Sequence, residues 1–336
     1  MRKRTRYTLL AALIILCALA AMVYLRQKAP PEAARLLPES DAIFYLNLRP
    51  VRAATHFDRN PVTLAPSAVA YQQFIDATGI NPERDLDAVA IALHAMPNPN
   101  GPNGPVAFSI VWQGHFDRTR LTQYLASIAT SQENYADRTI YSIPSPEGYM
   151  DRVALLGYDT IAFTNMPTPE QIHSILDRHR AAASPFSGSS LLGARYRDVP
   201  AFSIAWAVGR IGLPFVEDGK INILGLDLPV PADSTFVASL RYTTALHLRI
   251  EQIAPSEAQA ADEAHSLTHL LALVSYIRQA QQPKPQTPSD IALRDFMQSI
   301  EIEQHKDRAI LTATVPTDAL KHLADTPPPA SPVTPH

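Results

Sequence analysis

Apolar positions along the chain follow three patterns, and each predicts a different kind of element. The first is an unbroken run. From Tyr7 to Leu25 no residue is charged and only Thr8 is distinctly polar. Nineteen residues at about 1.5 Å rise span roughly 28 Å, close to the hydrocarbon thickness of a bilayer. A buried soluble helix of that length would show a polar face, and this run has none, so it reads as a transmembrane helix. The second pattern is the short β-branched and aromatic run, or strict alternation, which predicts strands at 42–48, 87–94, 106–113, 139–143, 152–156, 160–164, 202–208, 236–242, 246–253, 300–304 and 309–315.

The third pattern is helical spacing. Val69, Phe74 and Ile75 predict a helix over 67–78, stopped at Gly79 by a left-handed cap. Asp117 caps a helix to 129 with Leu121, Leu125 and Ile128 on one face. Thr168-Pro169-Glu170-Gln171 supplies cap, first-turn proline and capping-box glutamine for a helix to 182. Further helices follow at 256–281, 290–299 and 317–323. In the helix from Ser256, Leu267, Leu270, Leu271, Val274 and Ile277 form one stripe, so Leu271 is expected in the core and at least one of His265 and His269 in water.

Prolines divide these elements into segments. Residues 1–25 are a basic n-region and the membrane anchor. Residues 26–40 read as a linker kept extended by Pro30, Pro31 and Pro38, and 326–336 (TPPPASPVTPH) as a disordered proline-rich tail. Between them the fold class is α+β, in two units with antiparallel-rich sheets. Residues 41–150 run strand, helix, strand, strand, helix, strand, the βαββαβ order of ferredoxin-like folds. Residues 151–325 form the second unit, broken by QPKPQTPS at 282–289. A strand, polar turn, helix sequence recurs at 110–121, 161–172 and 311–320, a geometric repeat with little residue identity.

Charge sets the topology. Arg2, Lys3, Arg4 and Arg6 precede the apolar run and Arg26 and Lys28 follow it, with no acid before residue 29. The positive-inside bias places the N-terminus in the cytoplasm and the body outside, as a single-pass inner-membrane protein with a periplasmic body. Beyond residue 28 the chain holds 23 basic and 32 acidic residues, a balance of −9 against −3 for the whole. An acidic body with no basic stripe argues against a nucleic-acid partner. Ala18-Leu19-Ala20 has the spacing of a signal-peptidase site, but the apolar run continues past it to Leu25. Lipidation at Cys17 would want a small residue before it, where Leu16 stands. Cys17 is the single cysteine, so the body can form no disulfide, zinc–thiolate site or cysteine nucleophile.

The candidate chemistry is thin. His265 and His269 stand one helical turn apart, but the run is H-S-L-T-H, without the glutamate of a zincin motif, and Glu263 lies on the wrong side. Asp76, Glu83, Asp85 and Asp87 lack the ligand order of a calcium loop, and Gly79 and Pro82 mark a helix stop and turn. Ser187-Gly188-Ser189-Ser190 matches neither G-x-S-x-G nor S-x-x-K. The Asn100–Pro105 loop lacks the strand-to-helix setting of a phosphate cradle. Trp112 and Trp206, on strands, are expected as core or interface anchors. No catalytic, metal or cofactor residue is assigned, and no cofactor is expected.

LPESDA at 37–42, TGINPERDLDAV at 78–89 and GHFDRTRL at 114–121 resemble stretches of uncharacterised single-pass envelope proteins of soil bacteria. The likeness covers 39–145 well and the remainder loosely. It implies an extracytoplasmic location and carries no activity or functional residue with it. The expected function is a membrane-anchored interaction or envelope-assembly module with an unidentified envelope protein as partner. Two alternatives stand beside it. One is a hydrolase-like enzyme with a site assembled from scattered residues such as His94, His115 and Asp117. The other is a binder of a lipid or small apolar ligand between the sheet and the long helix.

Overall fold

The computed structural model describes residues 29–55, 69–181, 187–210, 216–217, 220–223, 226–229, 235–243, 245–281 and 288–316. The apolar run 7–25, Cys17, the 18–20 site, the helix expected at 317–323 and the tail at 326–336 lie outside these residues. Among the described residues no helix is long and apolar enough to cross a membrane.

The body is α+β and is built on one large antiparallel sheet. In chain order, helix α1 (Glu32–Leu36) leads into β1 (Ala42–Asn47), α2 (Leu48–Thr55), α3 (Val69–Thr78) and α4 (Pro82–Asp85). Strands β2 (Leu86–Ala95) and β3 (Val106–Gly114) precede α5 (Arg118–Ile128), then β4 (Ser131–Tyr135), β5 (Arg138–Pro144), β6 (Met150–Leu155) and β7 (Thr160–Thr164). Helices α6 (Glu170–Arg180) and α7 (Ser190–Arg195) lead to β8 (Ser203–Arg210). Short strands β9 (Val216–Glu217), β10 (Lys220–Ile223) and β11 (Leu226–Pro229) pair only with one another. The chain ends with β12 (Thr235–Tyr242), β13 (Ala245–Ile253), α8 (Glu257–Gln281), α9 (Pro288–Gln298), β14 (Glu301–His305) and β15 (Arg308–Pro316).

The sheet order is β14-β15-β13-β12-β8-β1-β2-β3-β7-β6-β5-β4. This corrects the ferredoxin-like expectation. A split βαβ brings β1 beside β3, whereas here β1 pairs antiparallel with β2 and β8, and β2 with β3. The cause is the contact between α2 and the start of β2. Arg49 and Arg52 of α2 hydrogen-bond Asp87, so β2 starts where β1 finishes and must run back alongside it. The two expected units thus share one continuous sheet, with β8 joining them between β1 and β12.

Alternation along the strands sorts residues onto two faces. On one, Ile43, Ala90, Ala92, Val111, Ala162, Trp206, Val208 and Val237 form the main core with α1, α6 and α7. Ile172, Ile175 and Leu176 lie at the three- and four-residue steps of the apolar face of α6 and are buried there. The expected linker at 26–40 is corrected from residue 32 onward. Ala33, Ala34, Leu36 and Leu37 are fully buried in that core, because the short helix α1 turns three small or aliphatic side chains onto the sheet. On the other face a second core joins Tyr141, Val153, Leu155 and Ile161 to Leu121 and Leu125 of α5, with Phe74 of α3 packed against them.

The long helix α8 forms as expected, but its burial differs. It lies against β14 and β15, and among its described side chains Ala260 and Ala264 are the buried ones. Leu271 is only half-buried, while Leu273 and Tyr276 are exposed. The small residues allow close approach at the start of the helix, and the leucine-rich half extends past that contact.

Candidate functional site

The residues suggested for chemistry do not converge. His94 and His115 stand at opposite ends of β2: His115 Nδ1 lies 3.5 Å from Asp87 Oδ2, seven residues or about 23 Å along the strand from His94. Asp117 accepts a hydrogen bond from the Arg120 amide as the cap of α5. His94 Nε2 is 3.0 Å from Ser109 Oγ, a pairing that invites comparison with a nucleophile and its base. The surroundings oppose that role: Ser109 Oγ is also 3.0 Å from Thr164 Oγ1, which bonds the Phe108 carbonyl, and both His94 and Ser109 are buried in the sheet. Burial holds the His94 pKa down, against a raising influence from Asp41 and from the Glu39 backbone.

The acidic cluster also has structural duties. Asp87 is held by Arg49 at 2.7 Å and Arg52 at 3.2 Å, and the Arg49 hydrogen bond keeps its carboxyl below the usual range. Asp85 accepts from the Asn81 amide and pairs with Arg84. Asp76 accepts from Gln72 one turn away. His265 and His269 are exposed on α8 with their Nε2 atoms 2.8 Å apart, and among the described residues no third metal-ligating side chain joins them. Ser189 caps α7, and Ser190 donates through its amide and hydroxyl to Glu39. Trp112 packs against the second core and Trp206 lies within the main core.

Two features of the body can engage another molecule. The first is the sheet face opposite the main core. Helices α3 and α5 cover it at one side, while α8 and α9 lie at the strands of the other side. Between them, on β2, β1, β8 and β12, this face carries Val89, Ile91, Leu93, Phe44, Leu46, Phe236 and Leu240. All are apolar and none is fully buried. Phe44 and Phe236 approach across β8 with ring centroids 6.4 Å apart. Burying such residues is worth about 1.5–3 kcal/mol each, so a face that leaves several half-exposed retains unspent driving force for association.

The second feature is a cavity of about 600 Å³ on the main-core side, lined by Pro30, Pro31, Gly188, Tyr196, Asp198, Phe202 and Trp206 among others. Tyr45 stacks on Trp206 at 5.5 Å and Tyr196 meets Trp206 edge-on at 5.3 Å. Burial, with a smaller contribution from Tyr45, pushes the Tyr196 hydroxyl up to about 12, so it stays protonated. Asp198, its side chain 10% exposed, accepts from Arg308 through Oδ1 at 3.0 Å. Its Oδ2 is buried without a hydrogen bond, 3.9 Å from Arg195 Nη1. No local pattern marks this cavity in the sequence, since it is assembled from segments more than 150 residues apart.

No protein-family model matches the chain, and neither does any curated protein. Among solved structures, crystal forms III and I of TP0453 superpose with a TM-score of 0.44 at 12% identity. The alignments cover 88% of this chain and 99% and 97% of theirs. At that distance the likeness offers no guidance on function.

Proposed function

We propose that the chain is a single-pass inner-membrane protein whose extracytoplasmic body is an interaction module for a protein partner of the envelope. The apolar run 7–25 with its flanking basic residues supports the anchor and its orientation. The observation that carries the interaction reading is the half-exposed sheet face holding Phe44, Ile91 and Phe236. Four neighbouring strands at about 4.8 Å spacing make it a broad, flat patch, the shape that packs against another protein's helix or sheet rather than enclosing a small ligand.

The test is site-specific photocrosslinking in cells, with a photoreactive residue at Phe44, Ile91 or Phe236 of the full chain. A discrete protein adduct from these positions, absent from Asn100 at the far end of the sheet and lost on Leu240→Asp, is the expected result. Adducts to lipid only, or none, would count against it.

A second reading, a binder of a small ligand, draws on Asp198 Oδ2 in the cavity, which makes no hydrogen bond and has only the longer 3.9 Å ion pair to Arg195. That oxygen would accept from a hydroxyl or amide of a ligand whose apolar part lies on Tyr196 and Phe202. The hydrolase reading finds no such support, because His94 lies about 23 Å along β2 from the end that carries His115 and Asp117.

A further inference from the structure

The end of the sheet at which β1 finishes is unlike the rest of the surface. Strand pairing places Asn47, Leu86, Gly114, Thr160, Ser203 and Tyr242 at this one end. Beyond it project Tyr158, 84% exposed in the β6–β7 turn, and Phe202, 78% exposed at the entry to β8. Tyr242, at the β12–β13 turn, and Leu46 are exposed there as well. From β12 to β7 is five strand spacings, so these residues spread over about 24 Å.

Phe202 is held at φ +62°, in the left-handed region that a bulky residue adopts only at a cost. It is thus strained and largely exposed at once, on the rim of the cavity. The charge of this end also departs from the rest. Arg49, Arg84, Arg118 and Arg241 are exposed here, with Arg118 seated 5.6 Å from the Tyr158 ring centre. The exposed acids are Asp117 and Asp159, since Asp85 and Asp87 are turned inward onto their arginines. With Asp85 and Asp87 counted, the four arginines are balanced by four aspartates, so this end is close to neutral on a chain with a balance of −9 beyond residue 28, and its exposed guanidiniums can meet anionic headgroups.

The chain itself leads to this end. Pro30 and Pro31 line the same cavity as Phe202 and Ser203. Leu25, the last residue of the apolar run, is five steps from Pro30, at most about 18 Å of extended chain, and Arg26 and Lys28 lie between. We infer that this rim of aromatic rings and arginines rests on the headgroup layer of the membrane, so that the body stands on the bilayer in a fixed orientation with its sheet upright. The inference rests on the anchor reading of the proposed function. Aromatic rings with a polar edge favour the interface, and arginines are drawn to an anionic surface. Anchoring holds the rim within reach, so weak contacts suffice.

The experiment uses the full chain with Cys17→Ser, reconstituted into phosphatidylcholine vesicles with and without phosphatidylglycerol. Single cysteines at Tyr158, Phe202 and Asn100 carry an environment-sensitive dye, and the lipid carries a headgroup-proximal nitroxide. Quenching several-fold stronger at 158 and 202 than at 100 is expected. It should be stronger with phosphatidylglycerol, and Arg84→Glu with Arg241→Glu should remove that increment. Flotation after alkaline extraction reports the anchor separately. Protein that floats while 158, 202 and 100 are quenched alike keeps the anchor and overturns the rim contact. Protein that fails to float overturns both.

Discussion

Arg308 Nη1 stands 2.5 Å from Glu251 Oε2, a carboxylate only 4% exposed near the end of β13. The same guanidinium reaches Asp198 Oδ1 through Nη2, and Arg249 closes on Glu251 from the other side at 2.7 Å. The network ties β13 and β15 to the short turn after α7 that floors the cavity. Its hydrogen bonds to Glu251 and Asp198 hold the Arg308 pKa up, against the opposing effect of burial.

Removing the shared cation leaves Glu251 buried with one partner and Asp198 with none at Oδ1. Arg308→Met should therefore destabilise the body by about 3–5 kcal/mol, the range for breaking a buried pair. Arg308→Met combined with Glu251→Leu should recover part of that loss, since the uncompensated charge is then gone. Urea melts of residues 29–325 read both. Equal loss in the single and double variants would show that the side-chain stem, not the charge, matters.

Legibility in the sequence followed the strength of local periodicity. β2 and β3 are plain because 88–93 and 106–112 are apolar at nearly every position, as strands flanked on both faces must be. β4 is silent: Ser131–Tyr135 is almost wholly polar, and only the turn through Ala136 and Asp137, both at positive φ, folds it back onto β5. α1 is silent for another reason. Five residues bracketed by prolines carry too little period to separate a buried helix from a linker. The half-exposed sheet face was unreadable as a site, because Phe44 and Ile91 look the same in sequence whether or not a helix covers them. The cavity had no signal at all, since only the fold brings Pro30 to Phe202.

The buried α1 gives a truncation test. A body starting at residue 41 loses Ala33, Ala34, Leu36 and Leu37 from the main core. Two leucines alone are worth about 2–5 kcal/mol each when truncated to alanine, comparable with the whole stability of a domain. Residues 29–325 should unfold cooperatively in denaturant, whereas 41–325 should not. A cooperative transition in 41–325 at the same midpoint would show that α1 contributes nothing.

Helix α8 offers a contrast between small and large residues. Ala260 is fully buried in the contact with β14 and β15, so Ala260→Leu forces the helix away and should cost about 1–3 kcal/mol or more. Leu271, half-buried, should cost no more than about 1–2 kcal/mol when cut to alanine, below the range for a fully buried leucine. His269→Ala, on the exposed side, should change stability by less than about 0.5 kcal/mol. The same melts repeated with zinc test the histidine pair. A midpoint that rises with zinc and stops rising in His269→Ala would mean that the two imidazoles do hold a metal.

Asp151, near the start of β6, should make the body less stable as pH rises through the mildly acidic range. Burial pushes its carboxyl up to about 6, with Glu147 adding to the shift, and Oδ1 is buried without a hydrogen-bond partner. In the unfolded chain the same carboxyl titrates near its ordinary value of about 3.9. Below that value it is neutral in both states and costs nothing. Between about 4 and 6 the folded state still binds the proton that the unfolded state has released, so stability falls with rising pH. Above about 6 the charged form is present in both states and the loss is complete. Asp151→Asn removes the titration while keeping the shape. The variant should match the parent near pH 4, gain on it steadily to pH 6, and hold a constant advantage from pH 7 to 8. Urea midpoints across that range decide it. Parallel curves at every pH would mean that Asp151 ionises in the folded body as readily as in water.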